Sequence, residues 1–214
     1  MVAHADNGDE HGRKGPPGLV LHRAGRYDLT VWLMTLGHER AFRERILELA
    51  DLKPGEHVLD VGCGSGTLAI AASKKVGPTG RVCGIDASPE MIARASNKAR
   101  RARLEVAFEE APAQSLPFAD ASFDATLSTI MLHHLPRKGR EQTIGEMRRV
   151  LKPGGRALIV EFSASKGLLG RFHRHGHLDP DAILSMVEAA GLRVIRSGMV
   201  TGRSDLHYVL SVAP

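Results

Sequence analysis

Apolar residues along this chain follow two patterns, short compact runs and longer stretches in which they recur at helical spacing. The compact runs Val58–Val61, Val82–Ile85, Leu104–Phe108, Phe123–Thr129, Ala157–Phe162, Leu192–Ile195 and Tyr208–Val212 predict seven strands. Helical spacing falls between them. In the stretch Tyr27–Ala50, Phe42, Ile46, Leu49 and Ala50 share one stripe, with Arg43, Glu44, Arg45 and Glu48 around the rest. Leu52-Lys53-Pro54-Gly55 ends that helix. Further helices are expected over Thr67–Lys75, after Ser88, over Arg140–Leu151 and after Asp179. Ser88 can cap its helix with Pro89 at the first position. Asp179-Pro180 opens the last helix, which carries Ile183, Leu184 and Val187 and closes at Gly191. Lys152-Pro153-Gly154-Gly155 is expected to turn the chain into the fifth strand.

Strand–helix alternation over this length predicts an α/β fold: a Rossmann-like, doubly wound, mostly parallel seven-stranded sheet with helices on both faces. Only Ser197–Leu206 separates the last two strands, too little for a parallel crossover. They should form a C-terminal antiparallel hairpin at the sheet edge. Residues 1–18 are polar and rich in Gly and Pro, which predicts a mobile tail. Residues 19–214 then make a single domain, with 19–52 as an N-terminal helical cap. There is no internal repeat.

Composition narrows the setting. The 214 residues suffice for one α/β core, and with 4% aromatic residues that core must be aliphatic. No apolar stretch is long enough to span a bilayer, and the N-terminus lacks the apolar segment of a secretory signal. Cys63 and Cys83 give neither a disulfide framework nor a metal spacing, so a reduced, cytoplasmic setting is expected. The net charge of +5 comes without a run of basic residues. It suits anionic small molecules or peripheral contact with an acidic lipid surface as well as nucleic acid.

The candidate chemistry starts where the first strand ends, at Val58-Leu59-Asp60-Val61-Gly62-Cys63-Gly64-Ser65-Gly66-Thr67. In a doubly wound sheet, ligands bind beyond the carboxyl ends of the strands near the switch point. Glycines there permit positive φ and close approach to the backbone. The spacing G-x-G-x-G is one residue short of the dinucleotide fingerprint, and no Gly-Lys-Ser/Thr follows to make a Walker loop. Asp86 lies twenty residues beyond Gly66, placed to accept hydrogen bonds from ribose hydroxyls. Asp60 beside the loop would repel a pyrophosphate and attract a cationic ligand. Cys63 is expected to be an inert small residue, because burial beside a carboxylate disfavours its thiolate.

This run resembles motif I of the class I S-adenosylmethionine-dependent methyltransferases, and the likeness continues in register. Gly84-Ile85-Asp86-Ala87-Ser88-Pro89-Glu90-Met91 resembles the family's second motif. Ser115-Leu116-Pro117-Phe118-Ala119-Asp120-Ala121-Ser122-Phe123-Asp124 resembles the LPF-x-D-x-SFD stretch of its small-molecule branch, and Leu151-Lys152-Pro153-Gly154-Gly155 the entry to its fifth strand. That branch includes the ubiquinone and menaquinone biosynthesis methyltransferases. The resemblance, from about Tyr27 to the C-terminus, implies S-adenosylmethionine as cofactor and a small-molecule acceptor. It implies that Gly62, Gly64 and Gly66 pack against the methionine part and ribose, with Asp60 anchoring the loop and the ammonium group. Asp86 would bind the ribose hydroxyls, Ala87 and Met91 would flank the adenine, and Ser128 would line the cofactor site. Where relatives often carry an acidic residue for adenine N6, this chain has Pro112, so the Ala113 backbone and the Gln114 side chain become the candidates.

Methyl transfer from a sulfonium mainly requires alignment and exclusion of water, with a base only for a protonated nucleophile. His133 and His134, just past the fourth strand, are the candidates for that base. Arg171-Phe172-His173-Arg174-His175-Gly176-His177 lacks carboxylates and reads as a basic lid rather than a metal site. Tyr27 and Trp32 fall in the cap that closes over the cofactor in relatives. A nucleic-acid methyltransferase acting on exocyclic amines would carry Asn/Asp-Pro-Pro-aromatic where this chain reads Ser128-Thr129-Ile130-Met131. The remaining alternatives are a pyridine-nucleotide dehydrogenase, which the glycine spacing disfavours, and a non-catalytic S-adenosylmethionine-binding protein. Oligomeric state is not written in the sequence.

Overall fold

The computed structural model describes residues 39–163, 178–201 and 205–214. The tail expected at 1–18, the part of the cap up to residue 38 with Tyr27 and Trp32, and the Arg171–His177 segment lie outside the described residues. Strands β1 (His57–Val61), β2 (Arg81–Asp86), β3 (Ala107–Glu110), β4 (Phe123–Thr129), β5 (Leu151–Phe162), β6 (Arg193–Met199) and β7 (Leu206–Val212) form one sheet. Its order is β3-β2-β1-β4-β5-β7-β6. β1 pairs in parallel with β2 on one side and β4 on the other, so the strand order reverses between β1 and β4. β7 runs antiparallel to both neighbours and slots between β5 and β6, which leaves β6 outermost. The expected mostly parallel sheet with a terminal antiparallel pair is what the chain forms.

Among the described residues five helices cover the sheet: α1 (Glu39–Ala50), α2 (Thr67–Val76), α3 (Pro89–Ala102), α4 (Arg137–Val150) and α5 (Pro180–Ala189). Alternation along each strand divides the core in two. Val58, Val82, Leu127 and Val160 pack with Ile46 and Leu49 of α1 and Leu68 and Ala72 of α2. Leu59, Val61 and Ile159 turn the other way, toward Ile144 and Met147 of α4 and Ile183 and Val187 of α5. Both sets are aliphatic, as the low aromatic share requires.

Several boundaries differ from expectation, three of them for a local reason. The third strand begins at Ala107 rather than Leu104, because α3 ends in a Schellman turn. Arg103 adopts φ 54° and donates to the Arg100 carbonyl at 3.1 Å, while Leu104 donates to the Ala99 carbonyl at 3.1 Å. Leu104 therefore closes a helix. The Lys152–Gly155 stretch lies inside β5, not ahead of it, taken up by a register shift that pairs Phe123 with Leu151 but Ala125 with Arg156. α4 begins at Arg137, right after Pro136, rather than at Arg140.

Polar bonds fix the rims. At the amino ends of the strands, Arg156 meets Glu56 at 2.7 Å and Lys152 meets Asp124 at 2.8 Å. The Leu116–Asp124 segment is latched to α4, since Arg149 donates to the carbonyls of Leu116 and Phe118 and to Asp120, and Glu146 accepts from the Leu116 amide. The two outer strands are charged: β3 exposes Glu109 and Glu110, and β6 exposes Arg193 and Arg196 beside a register shift. Among the described residues no helix is long and apolar enough to cross a membrane.

Candidate active site

The carboxyl ends of four adjacent strands, β2, β1, β4 and β5, bring the candidate residues onto one rim. β1 delivers Asp60, which lies beside Gly84 of β2 and Leu127 of β4. The loop beyond it turns through three glycines with φ of 75°, 52° and 75° at Gly62, Gly64 and Gly66. A side chain at Gly62 would run into Met131, and one at Gly66 would come within 2.6 Å of Phe108 and 2.7 Å of Ala95. Part of the close approach foreseen for this loop is thus made by the protein's own side chains. Lys98 of α3 clamps the loop from outside, donating to Ser65 at 2.8 Å and Thr67 at 2.9 Å.

Asp86, at the end of β2, accepts from the Gly64 amide on one oxygen and the Ser88 amide on the other, both at 2.9 Å. It therefore shapes the loop directly, while each oxygen keeps a lone pair for a ligand. Burial raises its pKa, and the amide bonds from Ser88, Gly64 and Ala87 pull it back. Asp60 is 1% exposed, and among the described residues neither carboxylate oxygen has a hydrogen-bond partner of good geometry. Burial, then the charge of Asp86, push it up to about 7, while the nearby Ala69 amide pulls it down. Burial and the same two carboxylates push the Cys63 thiol up, so it stays protonated.

Ala87 is exposed, directly after Asp86, whereas Met91 is buried at 3% in the first turn of α3, its amide donating to the Ser88 hydroxyl. Ala111 donates to the Asp86 carbonyl at 3.1 Å, which holds the Pro112–Gln114 turn against the end of β2. Ala113 is buried there, and the Gln114 amide nitrogen faces Gly139 of α4. Ser128 is fully buried on β4, its hydroxyl without a partner among the described residues.

Beyond β4 the chain bends sharply. Ile130, a β-branched residue, takes φ 53°, a conformation that costs about 1–3 kcal/mol and needs support from its surroundings. A short 3₁₀ turn, Leu132–His134, follows. His133 and His134 lie side by side, with ring centroids 3.9 Å apart and planes tilted by 47°. The His133 side chain is 11% exposed, and its Nδ1 lies 2.8 Å from Glu161 Oε2. Burial, then the neighbouring His133, lower the pKa of His134, with Glu161 opposing.

Glu161, near the end of β5, is 0% exposed. Besides His133, it accepts from the Met131 amide at 2.8 Å and the Leu132 amide at 2.6 Å. Sequence reasoning missed it, and with it Met131 and Lys98. The signal was there for Glu161, an acid inside the apolar run Ala157–Phe162, which a central strand can bury only with partners. Among the described residues no group of three His, Cys, Asp or Glu is placed to hold a metal ion.

Comparison with known proteins identifies the family. Residues 58–155 match a methyltransferase domain model. The demethylmenaquinone methyltransferase of Thermus thermophilus is 40% identical over 152 residues, 71% of this chain and 68% of the relative. The 2-phytyl-1,4-beta-naphthoquinone methyltransferase of Arabidopsis thaliana is 38% identical over 157 residues, 72% of this chain, which spans only 59% of that relative's length. Among solved structures, a SAM-dependent methyltransferase from Aquifex aeolicus superposes with a TM-score of 0.71 at 25% identity, covering 90% of this chain and 97% of that one. A buried, unpaired carboxylate under a glycine loop fits a ligand carrying an ammonium and a sulfonium, and the chain belongs to the S-adenosylmethionine-dependent methyltransferase family.

Proposed function

We propose that this enzyme methylates a small hydroxylated ring of the quinol class, on carbon or on oxygen, and not a nucleic acid. One observation carries the reading: a single turn joins the cationic-ligand side of the rim to the imidazole side. Met131 packs on Gly62 of the glycine loop, and two residues later His133 stands at the same edge. The activities of the two quinone-methylating relatives support the acceptor class.

When bound, S-adenosylmethionine supplies an electrophilic methyl group on a sulfonium. The chain's residues do the rest. Asp60 holds the positive end of the cofactor, Gly62, Gly64 and Gly66 let the backbone lie against it, and Asp86 takes the ribose hydroxyls. Ala87 and Met91 flank the adenine, with the Ala113 backbone and Gln114 at its polar edge and Ser128 beneath. One of the pair His133 and His134 takes the proton from the acceptor hydroxyl, leaving an electron-rich ring. Residues 19–214 act as one domain, with 19–52 as its cap. The enzyme works in the cytoplasm, in peripheral contact with acidic lipid where the acceptor is apolar.

The test has two parts. At a hundredfold excess over Kd, S-adenosylhomocysteine should stabilise the protein by about 2.7 kcal/mol, about 5–10 °C in Tm for a chain of this size. NAD should leave Tm unchanged. Labelled methyl transfer is then compared between a reduced naphthoquinone lacking its ring methyl and RNA, DNA and protein. Preferential labelling of the quinol is expected, and faster labelling of RNA or DNA would overturn the assignment.

A further inference from the structure

Glu161 makes three contacts that a merely structural carboxylate would not need together. Oε1 accepts from two successive amides, Met131 and Leu132, which saturate that oxygen and hold the turn after the strained Ile130. Among the described residues Oε2 has one hydrogen-bond neighbour, His133 Nδ1 at 2.8 Å. A single proton occupies that contact. Imidazole is more basic than a carboxylate, so the proton rests on Nδ1 and Oε2 accepts it. The second ring nitrogen, Nε2, then carries a bare lone pair. His134 lies beside this ring with its plane tilted by 47° and makes no hydrogen bond to Glu161 among the described residues, and Arg140 of α4 is occupied with the carbonyls of Leu132 and Leu135. His207, the register partner of Glu161 on β7, completes the surroundings.

We infer that Glu161 is the positioning residue of this site: it fixes His133 as the Nδ1–H tautomer, so that His133 Nε2, rather than His134, takes the proton from the methyl acceptor. This rests on the base reading proposed above and assigns it to one nitrogen. In the step, the acceptor O–H bond breaks, its proton moves to Nε2, and its electron pair stays on the acceptor oxygen. His133 becomes an imidazolium, whose charge the Glu161 carboxylate balances without itself becoming protonated. The logic is that of a carboxylate behind a catalytic histidine, reached here between two neighbouring parallel strands. The same carboxylate fixes the turn and the ring, so orientation and tautomer are set together.

Nuclear magnetic resonance of protein labelled with nitrogen-15 at histidine reads the tautomer directly, with the His133 signal identified by its loss in H133A. In the wild type, at a pH where the ring is neutral, the proton should be on Nδ1. In Glu161→Gln the side-chain oxygen can keep both amides, but its NH₂ now faces Nδ1 and drives the proton to Nε2. With the demethylated naphthoquinol as probe, E161Q should lose about 100-fold or more in kcat, while KM and S-adenosylhomocysteine affinity stay within about threefold. Glu161→Asp should restore the Nδ1–H form and more of the rate than E161Q. A proton on Nε2 in the wild type would overturn the inference, and that measurement stands even if E161Q does not fold. So would an E161Q enzyme within about threefold of wild-type kcat. An active H133A would overturn the assignment to His133 and leave His134 as the base, whereas an inactive H133A beside an active E161Q would remove only the role of Glu161.

Discussion

Asp60 is held where its charge is unwelcome until something cationic meets it. Burial and Asp86 place its pKa at about 7, against 3.8 for a free side chain. Between those values the folded protein binds a proton that the unfolded chain has released, so this residue's contribution to stability falls as pH rises from about 4 to 7 and is flat above. Asp60→Asn should therefore be more stable than the wild type near pH 8, by on the order of a few kcal/mol, with the gap closing toward pH 4. Urea unfolding of both proteins across that range measures it, and a gap independent of pH would contradict the account. The same variant should bind S-adenosylhomocysteine about 10–100-fold more weakly, the worth of a charged hydrogen bond, by titration calorimetry. At this scale the sequence was legible where chemistry was local. Asp60, the glycines and Asp86 lie within one strand–loop–strand unit, and the histidine pair could be placed by counting from β4. Glu161 was not legible, because its partners Met131, Leu132 and His133 lie 28–30 residues away and only the sheet brings them together.

At the scale of elements, the loop after β1 and the turn after β4 are one unit, because the Met131 side chain occupies the space a Gly62 side chain would need. Gly62→Ala thus meets two obstacles, the positive φ of 75° and the methionine. In a Met131→Ala background the clash with the methionine Cγ is gone, and the positive φ remains with only the Cβ contact at 2.9 Å. Chemical unfolding of the two single variants and the double should show G62A costing about 1 kcal/mol less when Met131 is absent, a coupling typical of residues in contact. Equal costs in both backgrounds would mean that the loop and the turn move independently. Element order and type could be read from periodicity, since both cores are built from alternating aliphatic residues on parallel strands. The misplaced boundaries share another cause. Leu104 looks like the start of a strand but closes a Schellman turn through Arg103, and Lys152–Gly155 looks like a turn but is absorbed as a bulge. Such local geometries leave apolar patterning unchanged, so patterning cannot reveal them.

At the scale of the whole molecule, α1 is part of the core, with Ile46 and Leu49 at 1% and 2% exposure against the face of Val58 and Leu127. Removing residues 1–18 should leave Tm and S-adenosylhomocysteine affinity as they are. Removing 1–52 should abolish cooperative unfolding, because each buried aliphatic lost costs about 2–5 kcal/mol against a total stability of about 5–15 kcal/mol. A soluble, cooperatively folded protein lacking 1–52 would show α1 to be an accessory. The sheet that this core supports ends in two charged outer strands, one carrying Glu109 and Glu110, the other Arg193 and Arg196 beside an irregular register. A strand from a second molecule that tried to extend either margin with a copy of itself would set like charges side by side. Each outer strand thus discourages two molecules from joining like edge to like edge.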